Sequence, residues 1–259
     1  MKYYVVDAFT DALFKGNPAG VCLLDEWLDG EVMQNIAAEN NLAETAFIVK
    51  RENHYALRWF TPEVEIDLCG HATLASAFVI ANFVDNNAEA MHFETKSGIL
   101  SVRKREDMYE MDFPSRKPKK SEITTRMEQA INMPVLEAYL SRDLVLLLES
   151  EQQVRELIPN YELLKQIDNC FAVIVTAKGD NVDFVSRFFA PGAGIPEDPV
   201  TGSSHCTLIP FWSERLNKRE MVAMQLSRRG GRLFCEDCGD RVKISGNAVL
   251  YLQGEIKIG

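Results

Sequence analysis

The sequence predicts an α+β protein made of two similar halves, and three observations support this class. Short runs of β-branched and aromatic residues, bounded by turn residues, recur along the whole chain. Helical patterns are fewer, and one apolar helical segment follows a glycine in each half. Three short motifs also occur twice, in the same order.

The repeated motifs indicate an internal duplication. Residues 58–62 match 187–191, residues 70–73 match 202–205 and residues 93–100 match 226–233, at offsets of 129, 132 and 133 residues. Three matches in order, at a nearly constant offset, favour a duplication over two unrelated α+β halves. We therefore expect a pseudo-twofold pair of domains at residues 1–115 and 116–259, with the last strand as a candidate to cross back to the first domain. The basic segment 115–121 is expected to be the linker.

The local patterns predict the individual elements. Strands are expected over residues 3–6, 19–24, 46–49, 99–103, 108–113, 171–176, 224–226, 232–235, 242–244 and 249–256. Helices are expected over residues 30–40, 71–83, 122–132, 154–166 and 203–216. The segment 71–83 is apolar nearly all round, which predicts a helix buried on every side. Pro210 is expected to kink the last helix or to end its first part.

Composition and charge exclude several classes of function. With 25% charged and 46% hydrophobic residues, the chain is globular rather than disordered or fibrous. Its formal net charge of −10 argues against nucleic acid and anionic membranes as partners. Asp7 interrupts the first apolar run, so no signal peptide is expected, and the uncharged stretch 68–84 is short and polar for a membrane span. The six scattered cysteines fit reduced thiols in the cytoplasm.

Several familiar motifs are missing from the sequence. It has no phosphate-binding loop, dinucleotide-binding fingerprint, nucleophile elbow or zinc-protease motif. Cys235 and Cys238 form a lone C-x-x-C pair, which supplies too few ligands for a structural zinc site and is typical of a hairpin turn.

Glu44 is the candidate acid/base residue. It stands where a predicted helix has ended and an apolar strand begins, so its carboxylate is expected to be partly desolvated. Burial would raise its pKa above the ordinary value of about 4.3, and such a glutamate can accept and return a proton near neutral pH. The alternative is that Glu44 caps the turn or pairs with a surface lysine.

The starts of two predicted helices carry the other candidates. Gly70 allows close approach of the backbone, and His71 can donate a hydrogen bond or carry a proton, unless it only caps the helix. Asp198, Thr201 and Ser203 crowd the second start. If both starts face one cleft, their N–H groups and helix dipoles form a cradle for a small anionic metabolite. These side chains fit proton abstraction next to a carboxylate or imine, which needs no metal or organic cofactor.

Five motifs in this order resemble the phenazine-biosynthesis PhzF-like family, over essentially the whole chain. They are residues 6–10 (VDAFT), 16–21 (GNPAGV), 41–45 (NLAET), 69–73 (CGHAT) and 197–203 (EDPVTGS). The resemblance implies the diaminopimelate epimerase-like fold, in which two similar domains each wrap a curved, mostly antiparallel sheet round a central helix. It also implies an active site between the domains and a cofactor-free isomerase that is usually a homodimer.

The resemblance also implies roles for the residues of these motifs. Glu44 would be the general acid/base, and His71 and Asp198 would assist the movement of the proton. The substrate would be bound by the remaining residues of the two helix starts, with the glycines supplying backbone N–H groups: Gly70, Ala72, Thr201, Gly202 and Ser203.

One comparison narrows the reaction class. Epimerases and racemases of this fold use two cysteines, one before each glycine, whereas here Cys69 is matched by Thr201. A threonine hydroxyl cannot replace a thiolate base at neutral pH, so one-base chemistry through Glu44 is the leading prediction. Cys69 is then expected to be a small buried residue.

Three alternatives stay open. The chain could be an epimerase with a different second base such as His205, or a binding protein for small molecules without catalytic activity. A serine hydrolase using Ser203 and His71 is the least favoured. His205 itself is expected to cap its helix rather than to face the pocket.

Overall fold

The computed structural model describes residues 1–258 and divides into two compact units. The first consists of residues 1–112 together with 245–258, and the second of residues 113–244. The sequence placed the division at 115/116, and the last strand lies with the first unit. No helix within residues 1–258 combines the length and the apolarity that crossing a membrane requires.

Among residues 1–258, eighteen strands and six α-helices make up the two units. The strands are β1 (Lys2–Ala8), β2 (Asn17–Leu24), β3 (Glu44–Lys50), β4 (Tyr55–Phe60), β5 (Glu65–Ile66), β6 (Ala90–Thr95), β7 (Gly98–Arg105), β8 (Met108–Pro114), β9 (Lys119–Ser121), β10 (Glu137–Leu140), β11 (Leu144–Leu147), β12 (Val173–Lys178), β13 (Phe184–Ala190), β14 (Ile195–Asp198), β15 (Glu220–Gln225), β16 (Gly231–Asp237), β17 (Arg241–Gly246) and β18 (Ala248–Glu255). The helices are α1 (Gly30–Asn40), α2 (Gly70–Val79), α3 (Thr125–Ile131), α4 (Glu151–Glu156), α5 (Tyr161–Leu164) and α6 (Gly202–Leu216).

The first unit wraps its sheet round α2. β1 lies between β2 and β18 and is antiparallel to both, with Lys2 opposite Glu255. The sheet continues from β2 through β3, β4, β6 and β7 to β8. α2 contacts β1, β2, β3, β7 and β18, and eight of its ten residues are buried. The expected all-round burial of this helix is confirmed, and a π-helical turn over Ile80–Val84 extends it.

The second unit repeats the strand order of the first. Successive neighbours β10, β11, β12, β13, β15 and β16 pair antiparallel, parallel, antiparallel, parallel and antiparallel. The strands β1, β2, β3, β4, β6 and β7 show the same succession. The short strands β5 and β14 each pair with the matching inner strand, and α6 packs against β15 and β16. The two units thus have the strand order that a duplication predicts.

A bidentate ion pair is also duplicated. Arg58 on β4 donates to both carboxylate oxygens of Glu65 on β5, over 2.7 and 2.9 Å. Arg187 on β13 makes the same two bonds to Glu197 on β14, over 2.7 and 2.9 Å. Planar guanidinium and carboxylate groups favour this paired geometry. Each pair holds the short strand that leads into the start of α2 or α6.

One expectation about the second unit is wrong, and one of the two outcomes expected at Pro210, the end of the helix, is not seen. The segment 115–121 is not a free linker, because Lys119–Ser121 forms β9 and pairs with β10. Pro210 does not end its helix, since α6 is unbroken over Gly202–Leu216. Proline has no N–H to donate to the carbonyl of Cys206, but the backbone N–H of Arg116 reaches that oxygen over 2.8 Å.

The extent expected for the helix over residues 154–166 is also wrong. It is replaced by the two short helices α4 and α5, and Pro159 lies between them. Proline disfavours helical backbone in the residue before it, which accounts for the break.

Candidate active site

Glu44 is buried at the first position of β3. The chain leaves α1 through Asn41, whose left-handed φ of 49° ends the helix, and enters β3 three residues later. Only 7% of Glu44 is exposed, and its Oε2 lies 2.9 Å from Nε2 of His71. The expected burial is confirmed, whereas the surface pair with lysine is not what the structure shows. The two side chains form a close, buried ion pair.

His71, the second residue of α2, is contacted on both ring nitrogens. Its Nδ1 lies 3.2 Å from Nδ2 of Asn17 and 3.5 Å from Sγ of Cys69, opposite the side that faces Glu44. The ring contacts these side chains rather than the N–H groups of the helix, so the interpretation of His71 as a cap is wrong. The Asn17 amide can turn either its N–H or its oxygen to Nδ1, and so suits both the neutral and the protonated ring.

The electrostatics of this cluster favour a protonated imidazole. Burial alone lowers the pKa of His71, but Cys69 and Glu44 outweigh it, and the pKa lies well above its ordinary value. Burial, reinforced by the charge of Glu44, raises the pKa of the Cys69 thiol. The Glu44 side chain thus faces Nε2 of the ring, and the Cys69 thiol lies on the far side at Nδ1.

The second unit has no counterpart of Glu44. Arg58 lies opposite Phe47 in the pair β3–β4, and the matching Arg187 lies opposite Val175 in the pair β12–β13. Three residues before these positions, Ala172 thus occupies the place of Glu44, and it is buried and apolar. The duplication has kept the carboxylate in one unit alone.

The neighbours of this position have also diverged. Ser203, the second residue of α6, stands where α2 has His71. Arg142, two residues before Leu144, donates from Nη2 to Oγ of Ser203 over 3.2 Å and makes a bidentate pair with the buried Asp143. Ser203 therefore contacts a cationic group, whereas His71 contacts the Asn17 amide.

The start of α6 is built on Thr201, which occupies the same N-cap position as Cys69 in α2. Both residues are buried in extended backbone, and neither helix has a side-chain cap bond. The Thr201 hydroxyl donates to the carboxylate of Asp198. Gly202 begins α6 as Gly70 begins α2. Uncapped first turns leave backbone N–H groups to be satisfied by another partner.

The predicted residues thus fall into one group in each unit. Glu44, His71 and Cys69 meet in the first unit, where Gly70 and the fully buried Ala72 belong to the same helix start. Asp198, Thr201, Gly202 and Ser203 lie together in the second unit.

His205 is buried inside α6 and does not cap it. Its Nδ1 lies 2.8 Å from the carbonyl oxygen of Thr201, which can only accept, so this nitrogen carries the proton. A cap would instead accept from a helix N–H, and the expectation of a cap is therefore wrong. Burial lowers the pKa of His205 to about 4, so the ring is neutral at pH 7 and a weak base.

Among residues 1–258, Glu44, Cys69 and His71 form the one group of three potential metal ligands, with donor atoms within 4.8 Å of one another. However, the imidazole contacts Glu44 and Cys69 through opposite nitrogens. A single cation needs its ligands to converge on one point. The observed orientation fits proton transfer better than metal binding.

Sequence reasoning missed three residues of these groups. Asn17 belongs to the motif 16–21 but was not given a role, and Arg142 had no local signal. Every second residue of β15 is buried, and Gln225 follows the buried apolar residues Met221 and Ala223 in this alternation. A polar residue that interrupts such an alternation is the signal that could have identified it.

Comparison with known proteins agrees with this architecture. The family model for phenazine biosynthesis-like proteins matches residues 6–254. A protein of Pseudomonas aeruginosa named an uncharacterized isomerase is 48% identical over 100% of this chain and 99% of its own length. A crystal structure of a PhzF-family protein from Enterococcus faecalis is 52% identical, covers 99% of both chains and has a TM-score of 0.98.

A more distant structure shares the fold alone. A probable proline racemase from Agrobacterium radiobacter is 9% identical, with a TM-score of 0.66, over 100% of this chain and 93% of the other. Together these similarities confirm the predicted α+β, epimerase-like fold class.

Proposed function

Because this chain belongs to the phenazine biosynthesis-like protein family of isomerase-type enzymes, we propose that it moves a proton within a small carboxylate-bearing metabolite. Glu44 is the single base, and no cofactor takes part. The observation that carries the proposal is the buried Glu44 carboxylate, whose oxygen lies 2.9 Å from the His71 imidazole. A shared fold does not determine the substrate, so the proposal concerns the class of reaction.

The remaining side chains support one base rather than two. Ala172 stands in the second unit where Glu44 stands in the first, and Thr201 stands where Cys69 stands. The thiol of Cys69 has a raised pKa, which makes it a poor base at neutral pH. His205, the alternative second base, is neutral with a pKa lowered to about 4.

The proposed reaction has two proton transfers. The Glu44 carboxylate takes a proton from the carbon that lies between the substrate carboxylate and a C=C or C=N bond, and the electron pair delocalises over that double bond and the carboxylate. Glu44 then returns the proton to the far carbon of the double bond, so that the double bond shifts by one position and no atom is gained or lost. Both transfers use one face of the substrate.

Charge near Glu44 assists these steps. Before the first transfer, the His71 imidazolium balances the Glu44 carboxylate. After it, Glu44 is neutral, and the imidazolium can stabilise the enolate-like anion of the intermediate. We assign substrate binding to the uncapped helix starts at Gly70 and Gly202, whose N–H groups suit an anion, with Ala72, Thr201 and Ser203 beside them. Asp198 is assigned to proton movement.

The test is deuterium incorporation from D₂O into a panel of small amino and hydroxy acids. Glu44→Gln keeps the shape of the side chain and its contact with His71 but cannot accept a proton, so exchange should fall by about 10²-fold or more. Glu94→Gln, at a largely exposed glutamate, is the matched control and should keep full exchange.

Three results would redirect the proposal. Full exchange by Glu44→Gln would place the base elsewhere. Loss of exchange in Cys69→Ser would support a two-base epimerase if the unsubstituted protein also forms the mirror image of its substrate. Binding of a substrate without any exchange by the unsubstituted protein would support the non-catalytic alternative. The homodimer and the cytoplasmic location stay predictions, and light scattering measures the first of them.

A further inference from the structure

Gln225 is a buried amide at a core-facing position. It is the last residue of β15, in which Met221, Ala223 and Gln225 alternate as the buried side chains. None of its surface is exposed. A buried amide is costly unless its donors and acceptor find partners, and β propensity alone would favour an apolar residue here.

All of its partners lie in the segment before α6. Oε1 accepts the backbone N–H of Thr201 over 2.9 Å, and Nε2 donates to the carbonyl of Asp198 over 2.7 Å and to Oγ1 of Thr201 over 3.1 Å. The two backbone groups fix the orientation of the amide, because a flip would set donor against donor and acceptor against acceptor.

This orientation determines where the hydroxyl proton of Thr201 points. Oγ1 of Thr201 accepts from Gln225, so its own proton goes to the carboxylate of Asp198. Asp198 must then accept, which favours its ionised form. We propose that Gln225 is a positioning residue which, through the Thr201 hydroxyl, holds Asp198 as a hydrogen-bond acceptor at the start of α6. The link from Asp198 to the reaction rests on the proposed function.

The duplication separates this role from ordinary anchoring. The hydroxyl of Ser227 donates to the carbonyl of Pro199 over 2.7 Å, and in the first unit Ser97 donates to the carbonyl of Asp67 over 2.8 Å. Both units therefore tether the segment before their central helix with a serine.

The position of Gln225 is used differently in the first unit. Ala223 lies opposite the first residue of β13, and Phe93 lies opposite the first residue of β4, so Ala223 and Phe93 are matching positions. Two residues later in each strand, Thr95 matches Gln225. Thr95 donates within its own hairpin, to the carbonyl of Gly98. We call the hydrogen bonds from Gln225 through the Thr201 hydroxyl to Asp198 the relay. The relay thus occurs in the second unit in addition to the serine tether that both units share.

Charged groups also stand on the elements around these hydrogen bonds. Among the described residues they include the Arg187–Glu197 pair on β13 and β14, the Arg142–Asp143 pair, and Arg228 and Arg229 after β15, while His205 on α6 is neutral. The arginines would favour an ionised Asp198 in the unsubstituted protein and in the variants alike, so a difference between variants reports the relay.

The test measures the titration of Asp198 in the absence of substrate. Carboxyl carbons of aspartate are labelled with ¹³C, and Asp198→Asn identifies the signal of Asp198. Gln225→Met keeps the volume but removes the relay, and the pKa of Asp198 should rise by about one pH unit. Ser227→Ala, the matched control, removes the shared tether and should leave that titration in place.

A second variant keeps the test decisive if Gln225→Met loosens the fold. Thr201→Val removes the hydroxyl itself and should raise the pKa of Asp198 to a similar extent. Adding Gln225→Met to Thr201→Val should then cause no further change, because the two residues act in one chain. An additive change, or an equal shift in Ser227→Ala, would overturn the proposal.

An exchange assay separates this proposal from the proposed function. If the unsubstituted protein exchanges deuterium, Gln225→Met should shift the acid limb of the rate profile to higher pH by the same amount as the titration. If the titration shifts but no variant shows exchange, the relay is upheld and the isomerase proposal fails. If exchange is present but neither the titration nor the profile shifts, the relay is refuted.

Discussion

Replacing Arg187 by methionine should destabilise the protein more than the same replacement of Arg58. The two arginines make matching bidentate bonds to Glu197 and Glu65, so the comparison holds the interaction constant and varies its surroundings. The Arg187 side chain is 10% exposed and that of Arg58 is 27% exposed.

The expected magnitudes follow from what each substitution leaves behind. Arg187 also donates to the carbonyls of Val154 and Leu157, over 3.3 and 2.8 Å, which would lose their partner. Breaking a buried pair costs about 3–5 kcal/mol, and we expect about 4 kcal/mol here. Glu65 keeps Lys96 at 2.8 Å after loss of Arg58, and its pair is more exposed, so about 1–2 kcal/mol is expected there.

Urea-induced unfolding measures the difference. Tryptophan fluorescence reports on both units, because Trp27 and Trp59 lie in the first and Trp212 in the second. The urea concentration at the midpoint of unfolding should be clearly lower for Arg187→Met than for Arg58→Met. Equal free energies of unfolding for the two variants would refute the argument that the buried carbonyls and the lower exposure decide the cost.

Two further predictions concern pH. The Arg58 hydrogen bonds, which outweigh the opposing effect of burial, lower the pKa of Glu65 to about 2, so its stabilisation is present above about pH 4.5 and is lost as the pH falls towards 2. The gap in unfolding free energy between the unsubstituted protein and Arg58→Met should therefore narrow over that range; a constant gap would contradict it. Burial lowers the pKa of His205 to about 4. Between about pH 6.5 and 4 the unfolded chain therefore binds a proton at this histidine that the folded chain does not bind, so the free energy of unfolding should fall as the pH is lowered through this range. His205→Asn keeps an N–H donor for Thr201 and should flatten this part of the stability profile, as measured by urea unfolding at each pH.

Local patterns predicted the features that depend on local sequence. The all-round apolar segment after Gly70 is the buried α2, and the apolar run that begins at Glu44 is the buried β3. The repeated motifs predicted two units with one strand order, which the pairings of β1–β7 and β10–β16 show. These features follow from periodicity and turn chemistry within a few residues.

Features that depend on distant segments could not be predicted in this way. Pro210 is tolerated in α6 because Arg116, far away in sequence, supplies the missing N–H donor. The contact of Glu44 with His71 requires the parallel pairing of β2 with β3 and the packing of α2 against both. Gln225 has meaning only once β15 lies beside the segment that carries Asp198. Each of these is a tertiary contact that no window of sequence contains.

The pairing of the first strand with the last has a consequence for biosynthesis. β1 is translated before residues 113–244, whereas its partner β18 is translated after them. The first unit is therefore completed only after residues 113–244 are free to fold. Until then one edge of β1 is open to pairing with nascent neighbours, so removal of β18 should promote aggregation more than its eight residues suggest.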